Sequence, residues 1–235
     1  MPIYQLTQEL VFPNPEWAAP TGLLAVGGDL SAPRLLLAYS LGIFPWYEPG
    51  DPILWWSPPR RCIIEPARFH ESRSLRRLLR QARFTVTFDQ AFPQVIQACA
   101  DSRLAQQQGT WITPEMIDAY CTLHDLGFAH SAEAWHEERL VGGIYGVSLG
   151  RAFFGESMFK YEPNASKVAF ATLARQLAAW QFTLIDCQLP NPHLLRLGAY
   201  EIPRAQFLRQ LAQALRFPTC KGKWSNEPIR HVSPP

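Results

Sequence analysis

The sequence carries little charge and lacks the usual signatures of a membrane, disulfide-linked or zinc-binding protein. Charged residues make up 18% of the 235 residues and the formal net charge is +2, so any nucleic-acid-binding signal must be local. The five cysteines include no Cys-x-x-Cys pair, and no run approaches the ~18 apolar residues of a membrane span. The N-terminal residues lack the regions of a signal peptide, so we expect a cytoplasmic protein with reduced thiols.

Motifs that would activate a substrate are also missing. The chain has no Gly-x-x-x-x-Gly-Lys-Ser/Thr phosphate loop, no Gly-x-Gly-x-x-Gly and no Gly-x-Ser-x-Gly elbow. His130 and His136 share one strand-like run, but no third metal ligand is evident. We therefore expect no metal and no cofactor, and a substrate that arrives already activated.

The first 62 residues predict a small N-terminal domain. Proline and glycine interrupt the aromatic segments at 43–47 and 53–58, which excludes long regular elements there. Ser31 and Pro33 are typical of a helix start, and Gly42 is typical of its end.

Residues 63–235 show mixed periodicity, which predicts a larger α+β domain. Strand-like runs at 129–136, 139–147 and 151–157 are separated by turn residues, so an antiparallel meander is predicted. Further strands are predicted at 84–88 and 182–188. Helices are predicted at 72–82, 90–100, 114–126, 164–180, 191–198 and 203–215.

The predicted helix at 72–82 is strongly basic. The segment 60–83 holds eight arginines against two glutamates. One helix face carries four arginines, at positions 73, 76, 77 and 80, and the opposite face is apolar and expected to be buried: Leu75, Leu78, Leu79 and Ala82. Most such stripes are solvated faces. Arginine forks nevertheless suit phosphate, and only Glu71 is near enough to neutralise them, so RNA contact is the alternative.

An aspartate ends the predicted strand at 182–188. Alternation puts Asp186 and Gln188 on one face and Cys187 on the other. Burial of an unpaired carboxylate is costly, so Asp186 either makes a structural hydrogen bond or holds an ammonium group and takes its proton. Cys187 has no evident His or Asn partner, which argues against a nucleophile.

A glutamate lies in a second apolar strand. Glu156 follows Gly155, and alternation places it on one face with Phe154 and Met158. An acid between two apolar side chains is either a pocket wall or half of a structural salt bridge. Trp46 and Trp111 lie in loop-like segments, where an indole either packs in the core or stacks on a nucleobase.

Taken together, these segments resemble the bacterial leucyl/phenylalanyl-tRNA–protein transferase family. The resemblance covers roughly residues 10 to 210, with many separate motifs in one order. The matching segments lie at 22–30, 42–46, 51–58, 109–113, 140–147, 155–159, 164–167 and 184–188.

The resemblance implies that the domain at 63–235 has the acyl-CoA N-acyltransferase fold, with aminoacyl-tRNA as the donor in place of acyl-CoA. The acyl-CoA enzymes carry an Arg/Gln-x-x-Gly-x-Gly/Ala loop for pyrophosphate. Its counterpart at 139–144 ends in Ile144, an imperfect match of the kind expected where CoA is not the donor.

The resemblance also implies the site residues. Trp46 and Trp111, with Tyr39 nearby, bracket the 3′-terminal adenosine. Glu156, Asp186 and Gln188 are the catalytic residues: Glu156 holds the donor's amino group or reads the acceptor's cation, and Asp186 accepts the proton of the acceptor amine. An amino-acid pocket takes the leucine or phenylalanine side chain; it is lined by Ile144, Met158, Phe170 and Ile185, with Leu173 and Leu177 behind them. The tRNA backbone is contacted by Arg73, Arg76, Arg77, Arg80 and Arg83.

The implied reaction moves leucine, phenylalanine or methionine from tRNA onto an N-terminal arginine or lysine, which marks the acceptor for the N-end rule pathway. We expect a cytoplasmic monomer without membrane contact. Two alternatives remain open: an acyltransferase of the same fold with another acceptor, such as the peptidoglycan aminoacyltransferases, and a non-catalytic tRNA-binding protein.

Overall fold

The structure is a computed structural model that describes residues 3–105 and 110–225. Gly109 of the 109–113 segment and the outer limits of the two predicted domains, residues 1 and 235, lie outside the described residues. The helices are α1 Ala32–Ser40, α2 Arg73–Gln81, α3 Phe92–Ala105, α4 Pro114–Asp125, α5 Ala165–Ala179, α6 Pro192–Arg196 and α7 Arg204–Ala214. Two short 3-10 turns span Pro15–Trp17 and Pro66–Arg68.

The strands form two sheets. A four-stranded sheet has the order β1-β2-β4-β3, and a seven-stranded sheet has the order β11-β5-β10-β9-β8-β7-β6. The strands of the small sheet are β1 Tyr4–Leu6, β2 Leu23–Gly27, β3 Phe44–Pro45 and β4 Leu54–Trp56. Those of the large sheet are β5 Arg60–Ile64, β6 Thr85–Phe88, β7 Ala129–His136, β8 Arg139–Leu149, β9 Ala152–Lys160, β10 Leu184–Asp186 and β11 Tyr200–Pro203.

The small sheet has short strands, as its proline and glycine content predicts. Its centre is Trp55, which is fully buried and donates its indole N–H to the carbonyl of Gly27 at 2.8 Å. Helix α1 begins after Ser31 and ends before Gly42, as predicted. Strand β3 and the residue after it, Trp46, line a cavity together with residues of the large sheet.

The centre of the large sheet confirms the predicted meander. Strands β7, β8 and β9 pair in antiparallel order. Helix α5 then crosses the sheet and leads to β10, which runs parallel to β9. The helix packs closely on β8 at Gly142, where a Cβ atom would lie 2.6 Å from that of Ala165. Glycine therefore permits the approach that brings α5 over the sheet.

Two strands of the large sheet were not predicted. Strand β5 pairs antiparallel with both β10 and β11, so the predicted boundary after residue 62 lies within a strand of the large sheet. The segment that forms β11 falls at the junction of the helices predicted at 191–198 and 203–215. Its Pro203 is tolerated because β11 is an edge strand. Within the described residues, no helix is both long and apolar enough to cross a bilayer.

The large sheet separates two apolar clusters. Ile63, Tyr145 and Phe154 belong to one cluster, together with α1, α3 and α4 side chains. Their strand neighbours Ile64 and Ile144 belong to the other, under α5. Period-2 alternation of the strands explains this division, because neighbouring residues of one strand point to opposite faces of the sheet.

Candidate active site

A cavity of about 280 Å³ opens where β9 and β10 separate. The two strands pair in parallel from Ala152 and Leu184 as far as Phe154 and Asp186. Beyond that point β10 ends and β9 continues to Lys160. The cavity is lined by Phe44, Pro45, Trp46, Trp111, Ile144, Gly155, Glu156, Ser157, Met158, Phe170, Ile185, Cys187, Gln188, Leu189, Asn191 and Leu194. These come from both apolar clusters, so the cavity passes through the gap between the strands.

A bulge in β9 directs Glu156 into this cavity. Tyr145 pairs with Ser157 and Gly146 with Gly155, so Glu156 is an extra residue without a partner on β8. A Cβ atom at Gly146 would lie 2.1 Å from the carbonyl oxygen of Phe154, so the bulge requires glycine there. Bulges of this kind break the alternation of a strand and re-aim side chains.

The bulge also corrects one prediction. Phe154 does not share a face with Met158: it packs against Tyr39 at 5.0 Å between ring centroids, whereas Met158 lines the cavity. The alternation argument assumed an unbroken strand, and one inserted residue reverses every assignment after it.

Glu156 is held by two tyrosines. Tyr39 donates its hydroxyl proton to Oε1 at 2.7 Å and Tyr120 donates to Oε2 at 3.2 Å, and the two hydroxyls also contact one another. Burial raises the pKa of Glu156 to about 7, against the lowering effect of the tyrosine bonds, and nearby Asp186 adds to the rise. Burial also raises the tyrosine pKa values well above 10.0, so both hydroxyls stay protonated.

A second bulge follows β10. The single residue Cys62 of β5 accepts a hydrogen bond from the N–H of Cys187 at 2.9 Å and donates one to the carbonyl of Gln188 at 3.0 Å. Two residues therefore oppose one, and Gln188 takes a positive φ of 54°. Both Cys187 and Gln188 line the cavity, and Cys187 lies with Ile185 in the apolar cluster under α5, on the face opposite Asp186 that alternation predicts.

Asp186 is engaged in an internal ion pair and does not line the cavity. Its carboxylate accepts two hydrogen bonds from Arg61, from Nε at 2.7 Å and from Nη2 at 2.6 Å. Oδ1 also accepts the backbone N–H of Gln188 at 3.0 Å. Both side chains are at most 1% exposed. The predicted direct contact between Asp186 and an acceptor amine is therefore wrong for this geometry, because the carboxylate faces Arg61 and has no open surface.

The predicted aromatic residues meet at the cavity. Trp46 is 42% exposed and lines it together with the half-buried Trp111. The carbonyl of Trp46 accepts the indole N–H of Trp56 at 2.7 Å, which fixes the backbone beside it. Tyr39 does not line the cavity and reaches it only through its bond to Glu156.

The residues of the predicted apolar pocket lie together. Four of its members line the cavity: Ile144, Met158, Phe170 and Ile185. Leu173 and Leu177, expected behind the lining, are buried in the cluster under α5 and do not line the cavity. Sequence reasoning missed Leu194 and Phe44, which also line the cavity, and Tyr120 and Arg61, which support it. Nothing in a single sequence places these four near the strand ends.

The arginine stripe lies on α2, as predicted, with the side chain of Ser72 capping the helix. Arg73, Arg76 and Arg80 border a surface cleft together with Arg175 of α5. Glu71 does not neutralise the stripe, because its carboxylate accepts both bonds of the Arg175 fork, at 2.5 and 2.7 Å.

Arg77 is exposed like the rest of the stripe but does not border the cleft. Arg83 is engaged elsewhere, in an ion pair with Glu162 at 2.8 Å. Ala82 is exposed at the helix end in a left-handed conformation, so its predicted burial is wrong.

Other chemistry has no counterpart among the described residues. No group of three or more His, Cys, Asp or Glu side chains there could hold a metal ion. The segment 139–144, compared above with a pyrophosphate loop, lies within β8 and is not a loop before a helix.

Comparisons with known proteins give a consistent result. Residues 63–212 match the family model "Leucyl/phenylalanyl-tRNA protein transferase", and residues 28–59 match the model of its N-terminal domain. A curated protein of Desulfatibacillum aliphaticivorans is 59% identical and covers 97% of each chain. One of Anaeromyxobacter sp. (strain Fw109-5) is 59% identical and covers 95% of each chain. Both carry the name "Leucyl/phenylalanyl-tRNA--protein transferase".

A solved structure described as "The structure of L-PGS from Bacillus licheniformis" is more distant. It is 14% identical, with a TM-score of 0.39 over 72% of this chain and 54% of that chain. A likeness at this level carries no argument about this chain.

Proposed function

The chain belongs to the leucyl/phenylalanyl-tRNA protein transferase family, and from that membership we propose how its cavity works. The protein is an aminoacyltransferase that moves leucine or phenylalanine, and also methionine, from a charged tRNA onto a protein. One observation carries the proposal: Trp46, Trp111, Glu156 and an apolar wall line the same cavity.

The large sheet has the acyl-CoA N-acyltransferase-like arrangement. Two features support this: parallel neighbours that diverge in the middle of a mixed sheet, and a cavity in the opening between them.

The donor end enters from the side of the small sheet. Trp46 and Trp111 stack on the 3′-terminal adenosine, a contact worth ~1–3 kcal/mol per base. The leucine or phenylalanine side chain lies against Ile144, Met158 and Phe170. The stripe on α2 contacts the tRNA backbone, because its forks are free of Glu71 and match phosphate oxygens.

The reaction converts an ester into an amide. The neutral α-amine of the acceptor attacks the aminoacyl carbonyl, the amine loses a proton, and the 3′ oxygen of the tRNA gains one as it leaves. Glu156 relays this proton, because a group with a pKa of about 7 exchanges protons readily near neutral pH. A free α-amine has a pKa of ~7.7–8.0, so part of it is neutral under the same conditions.

Gln188 stabilises the negative charge that develops on the carbonyl oxygen. Its side-chain Nε2 is buried and has no hydrogen-bond partner among the described residues, and the residue lines the cavity. A buried donor without a partner is costly in the free enzyme, and an oxyanion would satisfy it.

The acceptor is a protein with a free N-terminal arginine or lysine. Glu156 is the one carboxylate in the described cavity lining, and it supplies the negative charge that such a cation requires. The enzyme acts in the cytoplasm as a monomer, and its product is a substrate for N-end rule degradation.

A direct assay tests this function. Purified protein is mixed with Leu-tRNA and a peptide that begins with arginine, and mass spectrometry detects the addition of one leucine. An N-acetylated peptide of the same sequence is the matched control and stays unmodified. Lack of addition to the free peptide would refute the proposed reaction, and Val-tRNA in a parallel arm tests the donor pocket.

A further inference from the structure

Arg61 connects two walls of the cavity without lining it. On one side its fork binds Asp186, whose Oδ1 also holds the backbone N–H of Gln188. On the other side its guanidinium carbon lies 4.7 Å from the ring centroid of Phe44, which lines the cavity two residues before Trp46. A third contact, 4.5 Å to the ring of Phe207 on α7, holds it in place.

We infer that Arg61 is a positioning residue that sets the spacing between β3, which Trp46 directly follows, and the turn carrying Gln188. This inference rests on the proposed function. A single guanidinium then positions both the wall that stacks on the donor base, at Trp46, and the wall that binds the oxyanion, at Gln188. In doing so it joins the small sheet to the large one.

Burial argues for a geometric role. Arg61 is 1% exposed and Asp186 is fully buried, so neither can contact a substrate. A buried ion pair contributes little net stability compared with apolar side chains of similar size, because both ions lose their hydration. What the pair supplies is a fixed distance: the fork sets the orientation of the carboxylate, and the flat face permits the contact with Phe44.

The test compares four variants with the wild type, measuring kcat and the donor KM separately. Arg61→Lys keeps the charge and loses the fork; Arg61→Met loses both. The double variant Arg61→Met/Asp186→Leu replaces the pair with apolar groups. The matched control is Arg34→Met, since Arg34 is also 1% exposed and pairs with Asp29 at 3.0 Å, but does not line or border the cavity.

Both single Arg61 variants are expected to lose on the order of 100-fold in kcat/KM, with a higher donor KM and a lower kcat. The double variant recovers the unfolding free energy that Arg61→Met loses, but not kcat/KM. Arg34→Met keeps both kinetic constants. Wild-type kinetics in the double variant, or an equal kinetic loss in Arg34→Met, would show that Arg61 serves only folding.

A binding measurement separates this inference from the reaction itself. The probe is an amide-linked aminoacyl-adenosine, which cannot transfer its amino acid, and its affinity is measured by calorimetry. Weaker binding in both Arg61 variants and in the double variant supports the positioning role even if the wild type transfers nothing to the peptide. If all three variants are folded and bind the probe as tightly as the wild type, the positioning role is refuted.

Discussion

Replacing Glu156 with glutamine is expected to stabilise the protein while it inactivates the enzyme. The pKa of Glu156 lies at about 7 in the fold, against 4.5 for an ordinary glutamate, because the carboxylate is buried. A carboxylate whose pKa is raised on folding costs stability as the pH rises from 4.5 through 7, since the folded state keeps a proton that the unfolded state releases.

The size of the effect follows from the same shift. At ~1.4 kcal/mol per pKa unit, the wild type loses about 2–3 kcal/mol of unfolding free energy between pH 5 and pH 8 through this group. Glutamine has no proton to lose and still accepts the hydroxyl of Tyr39. The variant is therefore expected to gain about that much over the wild type at pH 8, and much less at pH 5.

The same variant, Glu156→Gln, is expected to lose activity. Loss of a proton-relay group typically costs ~100-fold or more. In the wild type, kcat/KM rises with pH through two ionisations, that of Glu156 at about 7 and that of the acceptor amine. In Glu156→Gln only the ionisation of the amine remains. Urea unfolding at pH 5 and pH 8, with leucine transfer across the same range, measures both effects.

Glu133 offers a matched control. It is fully buried, and burial raises its pKa, but its carboxylate accepts hydrogen bonds from Ser131 and Thr87 away from the cavity. Glu133→Gln is expected to leave kcat/KM unchanged. Glu156→Gln with near-wild-type activity, or with a pH profile that keeps the ionisation near 7, would refute the role given to Glu156.

Three further outcomes are expected. Trp46→Ala and Trp111→Ala each raise the donor KM by the equivalent of ~1–3 kcal/mol. The control Trp17→Ala, at an exposed tryptophan outside the cavity, leaves the donor KM unchanged, and equal effects in all three variants would contradict stacking. The double variant Arg76→Ala/Arg80→Ala weakens tRNA binding, and the slope of log K against the logarithm of the salt concentration becomes shallower by roughly 1.4–1.8. Filter binding at several salt concentrations measures this slope, and an unchanged slope argues against phosphate contact. Gln188→Met lowers kcat by roughly 100-fold with little change in donor KM, and an unaltered kcat in steady-state assays excludes the oxyanion role.

The meander and the helices show where sequence reasoning works. Runs at 129–136, 139–147 and 151–157 correspond to β7, β8 and β9, because period-2 patterns and turn residues are local properties. Strands β5 and β11 escaped prediction: they are five and four residues long and pair only with strands distant in sequence. Their existence depends on partners that a local pattern does not specify.

The bulges show where it fails. Alternation is reliable only in an unbroken strand, and two of the bulges lie at the cavity, at Glu156 and at Gln188. The bulge at Glu156 puts Met158 on the opposite face from Phe154, where alternation predicts a shared face. The extra residue is stabilised by contacts with neighbouring strands, such as the close approach at Gly146, which the strand's own sequence does not reveal.

The sequence by itself determined the family of this protein and the residue types of its chemistry, because motifs in a fixed order are read directly from the chain. It also determined that aromatic, apolar and acidic groups would be available for a site. Only the tertiary structure decided that Asp186 pairs with Arg61, 125 positions away, and that Glu156 lies open to the cavity. A carboxylate's role depends on what lies within hydrogen-bond distance and on its burial, and both arise only when distant strands are brought together.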